Sequence, residues 1–273
     1  GPSAGDLLVR LAVLEEERRA MAETANRKFE SRIRVFSAVA FLAVWQVGAE
    51  LADTRMLPDP WQVIRAIVDH ISNGEILYHG GVTLLRVGVS FFVAMAFGTA
   101  LGMVMGSNRR WDAALDGVLV LALNIPALVV IILCYLWLGL GEFAAILAVA
   151  INKFPIVVVT MREGARAVDR DLLQVARAFR IETRRTFFRV YLPQLYPYLL
   201  ASARSGLALV WKIVLVVELL GRSNGVGFKL GVYFQFFDIT SILAYSFSFI
   251  AVVMAIEVLI LAPLDRRLSE WRT

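Results

Sequence analysis

The chain has 273 residues, 59% of them hydrophobic, and a mean hydropathy of +0.68, well outside the roughly 45–50% apolar content of a soluble globular domain. A formal charge of +5 would point to nucleic acid in a soluble protein. Here the basic residues flank apolar runs, so membrane topology accounts for them and no nucleic acid is expected as a partner. The length suits one multi-span membrane domain and leaves no room for an attached nucleotide-binding domain.

Taken in order, Gly1-Pro2 reads as a tag-cleavage scar, and residues 1–34 as a charged, helical, cytoplasmic leader without a signal-peptide pattern. A first span is expected over Val35–Leu51, bounded by Arg34 and by Asp53-Thr54-Arg55. Leu57-Pro58-Asp59-Pro60-Trp61 then turns into an amphipathic helix, so residues 58–74 should lie on the far membrane surface. The second span, Val82–Met105, carries Ala94, Gly98, Gly102 and Gly106 at every fourth position, a small-residue stripe suited to close helix packing. After the basic loop at Arg109-Arg110 comes a third span, Leu115–Leu138, in which Pro126 predicts a kink with freed carbonyls beside Asn124. A tight turn, Gly139-Leu140-Gly141-Glu142, leads to the fourth span, Phe143–Met161. A polar loop over 162–193 follows, then a fifth span, Tyr198–Leu220, an outer loop and a sixth span, Ile239–Leu261. The six-span body thus covers 35–267 and a short cytoplasmic tail 268–273.

This gives an all-α integral membrane protein of six spans with both termini on one side. Of the 28 Lys and Arg, 20 fall on the face holding the termini and the central loop and 4 on the other, which makes the first face cytoplasmic. Cys134, the single cysteine, sits in an apolar run and excludes an internal disulfide, and His70 and His79 have no cysteine cluster near them, so no metal site is expected. No P-loop, zinc-protease or serine-nucleophile motif occurs, and Gly225-Val226-Gly227 lacks the preceding strand and third glycine of a dinucleotide fingerprint. No catalytic residue is assigned, and any ATP and magnesium would be bound by a partner.

The central loop is the informative stretch. Leu172, Val175, Ala176 and Phe179 repeat at helical spacing while Arg177, Arg180 and Arg184 point elsewhere. Thr183 is placed to cap a second short helix, and Pro193 and Pro197 mark entry to the fifth span. Among intramembrane charges, Lys153, Lys212 and Glu218 stand out, because each should face protein or a watery cavity. They are, with Asn124, the candidates either for a translocation path, positive enough to favour an anion, or for packed ion pairs and helix-packing hydrogen bonds. Lys212 and Glu218, six residues apart, do not share a helix face.

Gln174-Val175-Ala176-Arg177-Ala178-Phe179-Arg180, followed by Val190-Tyr191-Leu192-Pro193, resembles the EAA loop of ATP-binding-cassette importer permeases. Register is kept, but the family's Glu is Gln174, its first Ala is Val175 and its Gly is Arg180, so the corner between the two short helices must form without glycine. Further segments are similar to the nitrate/sulfonate/taurine type: Leu57-Pro58-Asp59-Pro60, Thr83-Leu84-Leu85-Arg86-Val87, Ile125-Pro126-Ala127, Trp137 to Glu142, Phe154-Pro155, Glu218, and Asn224-Gly225-Val226-Gly227. The resemblance runs from about Phe36 to Trp271.

That resemblance implies a type I importer permease fold in a bacterial cytoplasmic membrane. It implies a homodimer docked on two cytoplasmic ATPase subunits, with a periplasmic binding protein delivering a small, mostly anionic solute. ATPase contact would then be made by Leu172, Gln174, Val175, Ala176, Arg177, Ala178, Phe179, Arg180, Ile181, Arg184 and Phe187. A permease for another solute class, or a transporter driven by an ion gradient, stays open at this point.

Overall fold

The computed structural model describes residues 56–261 and 35–52 together with 29, 32, 33, 54 and 263. The expected leader and tail thus fall almost wholly outside the described residues. Among the described residues all regular structure is helical.

The first unit reaches Ile64. It holds α1, Val35–Ala52, apolar enough to cross a bilayer. The Trp45 indole donates to the Pro58 carbonyl at 3.0 Å, tying the following turn back to this helix. The α2 helix, Pro60–Ser72, starts where Asp59 Oδ1 accepts the Gln62 N–H at 2.8 Å and Pro60 occupies the first helical position.

The second unit begins at Arg65. Gly74, at φ 74°, breaks the chain between α2 and α3, Glu75–Ser107. The α3 helix starts seven residues before the expected Val82, so Glu75 and His79 are helical. The α4 helix, Arg109–Asn124, is capped by Asn108, whose side chain accepts from Arg110 N at 2.9 Å, and α5 covers Ala127–Leu138. Next come α6, Glu142–Arg166, α7, Arg170–Ala178, and the short α8, Thr183–Thr186. A π-helical turn, Phe187–Tyr191, leads straight into α9, Leu192–Gly221. The chain closes with α10, Val226–Gln235, and α11, Ile239–Ile256.

Among the described residues five helices, counting α8 to α9 as one of 39 residues, are long and apolar enough to span, and the bent pair α4–α5 would make a sixth crossing. The kink expected at Pro126 in the third span is thus far sharper than a bend in one helix. Ile125 is extended (ψ 125°) and Pro126 likewise (ψ 134°), so the helix is broken and the two halves meet at 97°. Proline removes one N–H and crowds the carbonyl four residues back, which permits a break, while two consecutive extended residues set its size. The fifth span differs in part: Pro193 stands in the first turn of α9, at its entry as expected, whereas Pro197 lies inside the helix. The π turn just before Pro193, where Leu192 N–H reaches Phe187 O, loosens the ladder ahead of it. The stretch read as an outer loop holds α10.

The core is built by α3, α6 and α9, around Val87, Ala148, Val149, Val210, Val214 and Val217. The small-residue stripe sets the α3–α6 contact. A Cβ on Gly98 would lie 2.7 Å from Val157 Cβ, and one on Gly102 would lie 2.7 Å from both Met161 Cβ and the Val158 carbonyl. One on Gly106 would collide with Ala165 and the Arg162 carbonyl, and Ala94 is fully buried on the same stripe. Contacts thus advance four residues per turn on both helices, and the backbones approach as closely as glycine allows.

Candidate functional site

The polar segment after α6 folds as a helical hairpin. Asp169 starts it: its Oδ1 accepts Asp171 N at 2.8 Å and Leu172 N at 3.4 Å, while its own N–H donates to Gln194 Oε1 at 2.9 Å on α9. The hairpin is therefore clamped at its base. Nine residues later α7 ends in a Schellman motif. Arg180 N donates to Arg177 O and Ile181 N to Ala176 O, both at 2.9 Å, and Arg180 takes the left-handed conformation, φ 50°. The corner expected to need glycine is made with arginine in the glycine conformation.

Beyond the corner, Glu182 occupies the cap position of α8 without a side-chain bond, and Thr183 is the first helical residue. The expected Thr183 cap is not formed, because that residue has already turned helical.

Among the residues expected to contact an ATPase, Ala176 is buried against the body and Phe187, half-buried, stacks on Tyr191 at 5.6 Å. Gln174, Arg177, Ala178, Arg180 and Arg184 are exposed, as are the apolar Leu172, Val175, Phe179 and Ile181, with Phe179 at 77%. The apolar face thus splits, with Leu173 and Ala176 turned inward and Leu172, Val175 and Phe179 outward. Arg162 and Arg166 fix the end of α6 to α4: Arg162 Nη1 lies 2.6 Å from Asp116 Oδ1, and Arg166 pairs with Asp112.

The intramembrane charges fall into different environments. Glu218 is fully buried. Its carboxylate accepts from Arg86 Nη1 at 2.7 Å, Thr83 Oγ1 at 2.9 Å, and the Gly227 N–H at 2.9 Å. Arg86 is the hub. Nε and Nη2 hold Glu142 at 2.8 and 2.5 Å, Nη1 also reaches the Asn224 carbonyl at 2.8 Å, and Nη2 bonds the Asn224 side chain. Arg222 adds a second cation on Glu142 at 2.7 Å, Thr83 Oγ1 accepts Val226 N at 2.9 Å, and His79 Nδ1 accepts Gly225 N at 3.0 Å. Gly225 is at φ 107°, and a Cβ there would collide with the Glu218 carboxyl. The result is a bracket of two cations and two carboxylates joining α3, α6, α9 and the turn before α10.

Of the two roles left open for the intramembrane charges, Glu218 has the geometry of the packed ion pair. Glu218 faces protein on every side, satisfied as the centre of an ion-pair network rather than lining a cavity. Lys153 is likewise fully buried; its Nζ donates to Ser202 O at 2.9 Å, and its chain crosses Gly206, where a Cβ would overlap Nζ. Asn124 is exposed at the bend and bonds Val120 O at 2.7 Å, within its own helix. Lys212 opens onto a cavity of about 340 Å³ lined by α9, α11 and Glu257 just beyond it, with Arg204 and Glu257 as its other charges and Trp211 and Phe249 among its apolar walls.

Arg86 was not singled out from sequence, yet Thr83, Arg86, Glu142, Glu218, Asn224, Gly225 and Gly227 all lie in the segments that carried the family resemblance. Scattered over more than 140 positions in the chain, they converge on one site; that shared membership was the available signal. Asp169 and Gln194, which clamp the hairpin, were also missed, although an Asp ahead of an apolar-periodic run is an N-cap signature.

The profile of the family "Binding-protein-dependent transport system inner membrane component" matches residues 98–269, from the glycine stripe to beyond α11. The chain is 30% identical to the putative aliphatic sulfonates transport permease protein SsuC of Bacillus subtilis (strain 168), covering 85% of this chain and 84% of that protein. It is 26% identical to the taurine transport system permease protein TauC of Escherichia coli (strain K12), over 88% of this chain and 89% of that one. With the nitrate import permease protein NrtB of a Synechocystis strain it shares 30% identity over 72% of this chain and 74% of that protein. A chain of the MetNI methionine ABC transporter, solved in inward-facing conformations, superposes with a TM-score of 0.59 at 16% identity, covering 76% of this chain and 96% of that one. That likeness gives the fold, the type I importer permease. The chain belongs to the binding-protein-dependent transport system inner membrane components and is a multi-pass permease subunit of the nitrate/sulfonate/taurine type of ATP-driven importer.

Proposed function

We propose that this permease works as a homodimer in a bacterial cytoplasmic membrane, with its termini and the α7–α8 hairpin in the cytoplasm. Each copy docks on one ATPase subunit, which binds the ATP and magnesium, and a periplasmic binding protein delivers a small anion such as a sulfonate, taurine or nitrate. The observation that carries the reading is the hairpin itself. It is clamped at its base by Asp169 and Gln194, yet it presents Leu172, Val175 and Phe179 to water, an arrangement a partner must cover. A rigid lever with an apolar tip converts closure of an ATPase dimer into movement of α6 and α9, the helices it joins.

The anion is supported by the names of the relatives and by Lys212 and Arg204 on the cavity of α9 and α11. Lys153 and Glu218 are structural in this reading. The test is co-expression with the cognate ATPase and purification through this chain alone. A stable complex of two copies of each subunit that hydrolyses ATP in lipid, faster with loaded binding protein, is expected. A permease that recovers no ATPase and transports only under an ion gradient overturns it.

A further inference from the structure

We infer that the hairpin tip is read by charge: its occupant is a groove on a cytoplasmic protein with an apolar floor and a rim of carboxylates. The inference rests on the docking role just proposed and adds the chemistry of the partner surface. Between 169 and 189 the chain carries Arg170, Arg177, Arg180, Arg184, Arg185 and Arg189 against Asp169, Asp171 and Glu182. All six arginines are exposed, and none makes an ion pair with a described residue. Arg162 and Arg166, from the same loop, are both paired, to Asp112, Asp116 and Glu163. The fold thus neutralises the two arginines in the last turns of α6 and leaves the six of the hairpin without an ion pair among the described residues. Of the three acids, Asp169 is already engaged as the α7 cap.

Anionic lipid headgroups are the rival occupant, and length argues against them. The helix from Thr183 to Gly221 has 39 residues, roughly 58 Å at the usual rise per residue. A bilayer with its headgroups is about 40–45 Å thick. With the Gly221 end at the outer face, the tip at Thr183 stands past the inner headgroups by more than about 10 Å even before the α7 corner is added. Exposed Phe179 and Phe188 among free guanidinium groups then match a protein surface whose floor is apolar and whose carboxylates can take bidentate arginine.

The test measures binding of the cognate ATPase to the reconstituted full-length permease at low and high salt. Arg184→Glu with Arg185→Glu should weaken binding by about tenfold or more at low salt, with the difference shrinking as salt rises. Arg184→Lys with Arg185→Lys keeps the charge but not the bidentate fork, so it should bind more weakly than wild type and clearly more tightly than the Glu variant, and reversing the facing carboxylates of the ATPase to lysine should restore the Glu variant. Equal, salt-independent binding of wild type and Glu variant overturns the charge reading while leaving the importer intact. Binding that depends on anionic lipid in the vesicles and not on the ATPase's carboxylates assigns the tip to headgroups and overturns it as well. No ATPase bound by the wild type under any condition overturns the docking role itself. Matching thermal unfolding of wild type and both variants excludes misfolding as the cause.

Discussion

Removing the cation at the centre of the buried bracket should cost more than removing the carboxylate it binds. In Arg86→Met, Glu218 keeps its Thr83 and Gly227 donors but becomes a carboxylate at zero exposure with no cation. Breaking a buried pair in this way costs about 3–5 kcal/mol. Asn224 loses both of its bonds to Arg86 in the same variant, so the turn before α10 loosens too. In Glu218→Gln, by contrast, Arg86 keeps both bonds to Glu142, and the amide oxygen can still accept from Gly227 N. That loss should be nearer 1–3 kcal/mol, the range for one charge-assisted hydrogen bond. Arg86→Met with Glu218→Leu removes both charges, and its cost should fall below that of Arg86→Met alone, giving a coupling energy of about 2 kcal/mol or more. Reversible unfolding of the purified permease in mixed micelles measures all three. Equal costs for the two single variants, or a double variant whose cost is their sum, would refute the bracket.

Three other outcomes follow from the geometry. Gly102→Leu must displace Met161 Cβ and the Val158 carbonyl, each 2.7 Å from the added Cβ, so folded yield should collapse, whereas Gly117→Leu, where a Cβ meets open space, should express normally; equal yields would contradict the α3–α6 packing. Arg180→Gly relieves a left-handed backbone costing a side-chain-bearing residue about 1–2 kcal/mol, so the Ile181 amide should exchange roughly tenfold more slowly in the free permease, and unchanged exchange would show that the corner is unstrained. Lys153→Met replaces a buried ammonium held by a single carbonyl and should leave uptake intact, whereas Lys212→Met, on the charged cavity, should impair it; the reverse pattern would move the path to the α6–α9 interface.

Much of the fold was legible because membrane proteins write it in period and composition. Small residues at 94, 98, 102 and 106 announced a close helix contact, and the apolar spacing of Leu172, Val175 and Phe179 announced an amphipathic helix in a polar loop. The failures are of two kinds. Local rules gave the presence of a feature and not its size. Pro126 foretold a bend, but extended Ile125 and Pro126 together turned it into a 97° break, and Pro197, expected at the entry to the fifth span, was absorbed inside α9, with a π turn ahead of Pro193. Arg180 shows the opposite balance, two Schellman bonds and the clamp at Asp169 outweighing the left-handed penalty of an arginine. Partners distant in sequence were the second kind. Glu218 was visible as an expensive membrane charge that needed either a path or an ion pair, yet nothing in its neighbourhood indicates Arg86, 132 positions earlier, as the partner.

The measurement closest to the central claim is ATP-driven uptake of a labelled sulfonate, taurine or nitrate by proteoliposomes holding this permease, its ATPase and its binding protein, compared with the same assembly carrying Phe179→Asp. Phe179 lies 77% exposed at the corner of the hairpin, outside the packed body, so the variant should fold and its ATPase should still hydrolyse ATP. Transmission through the apolar tip predicts uptake reduced to background while hydrolysis continues. Uptake at the wild-type rate by the Phe179→Asp assembly would contradict the coupling role of the hairpin.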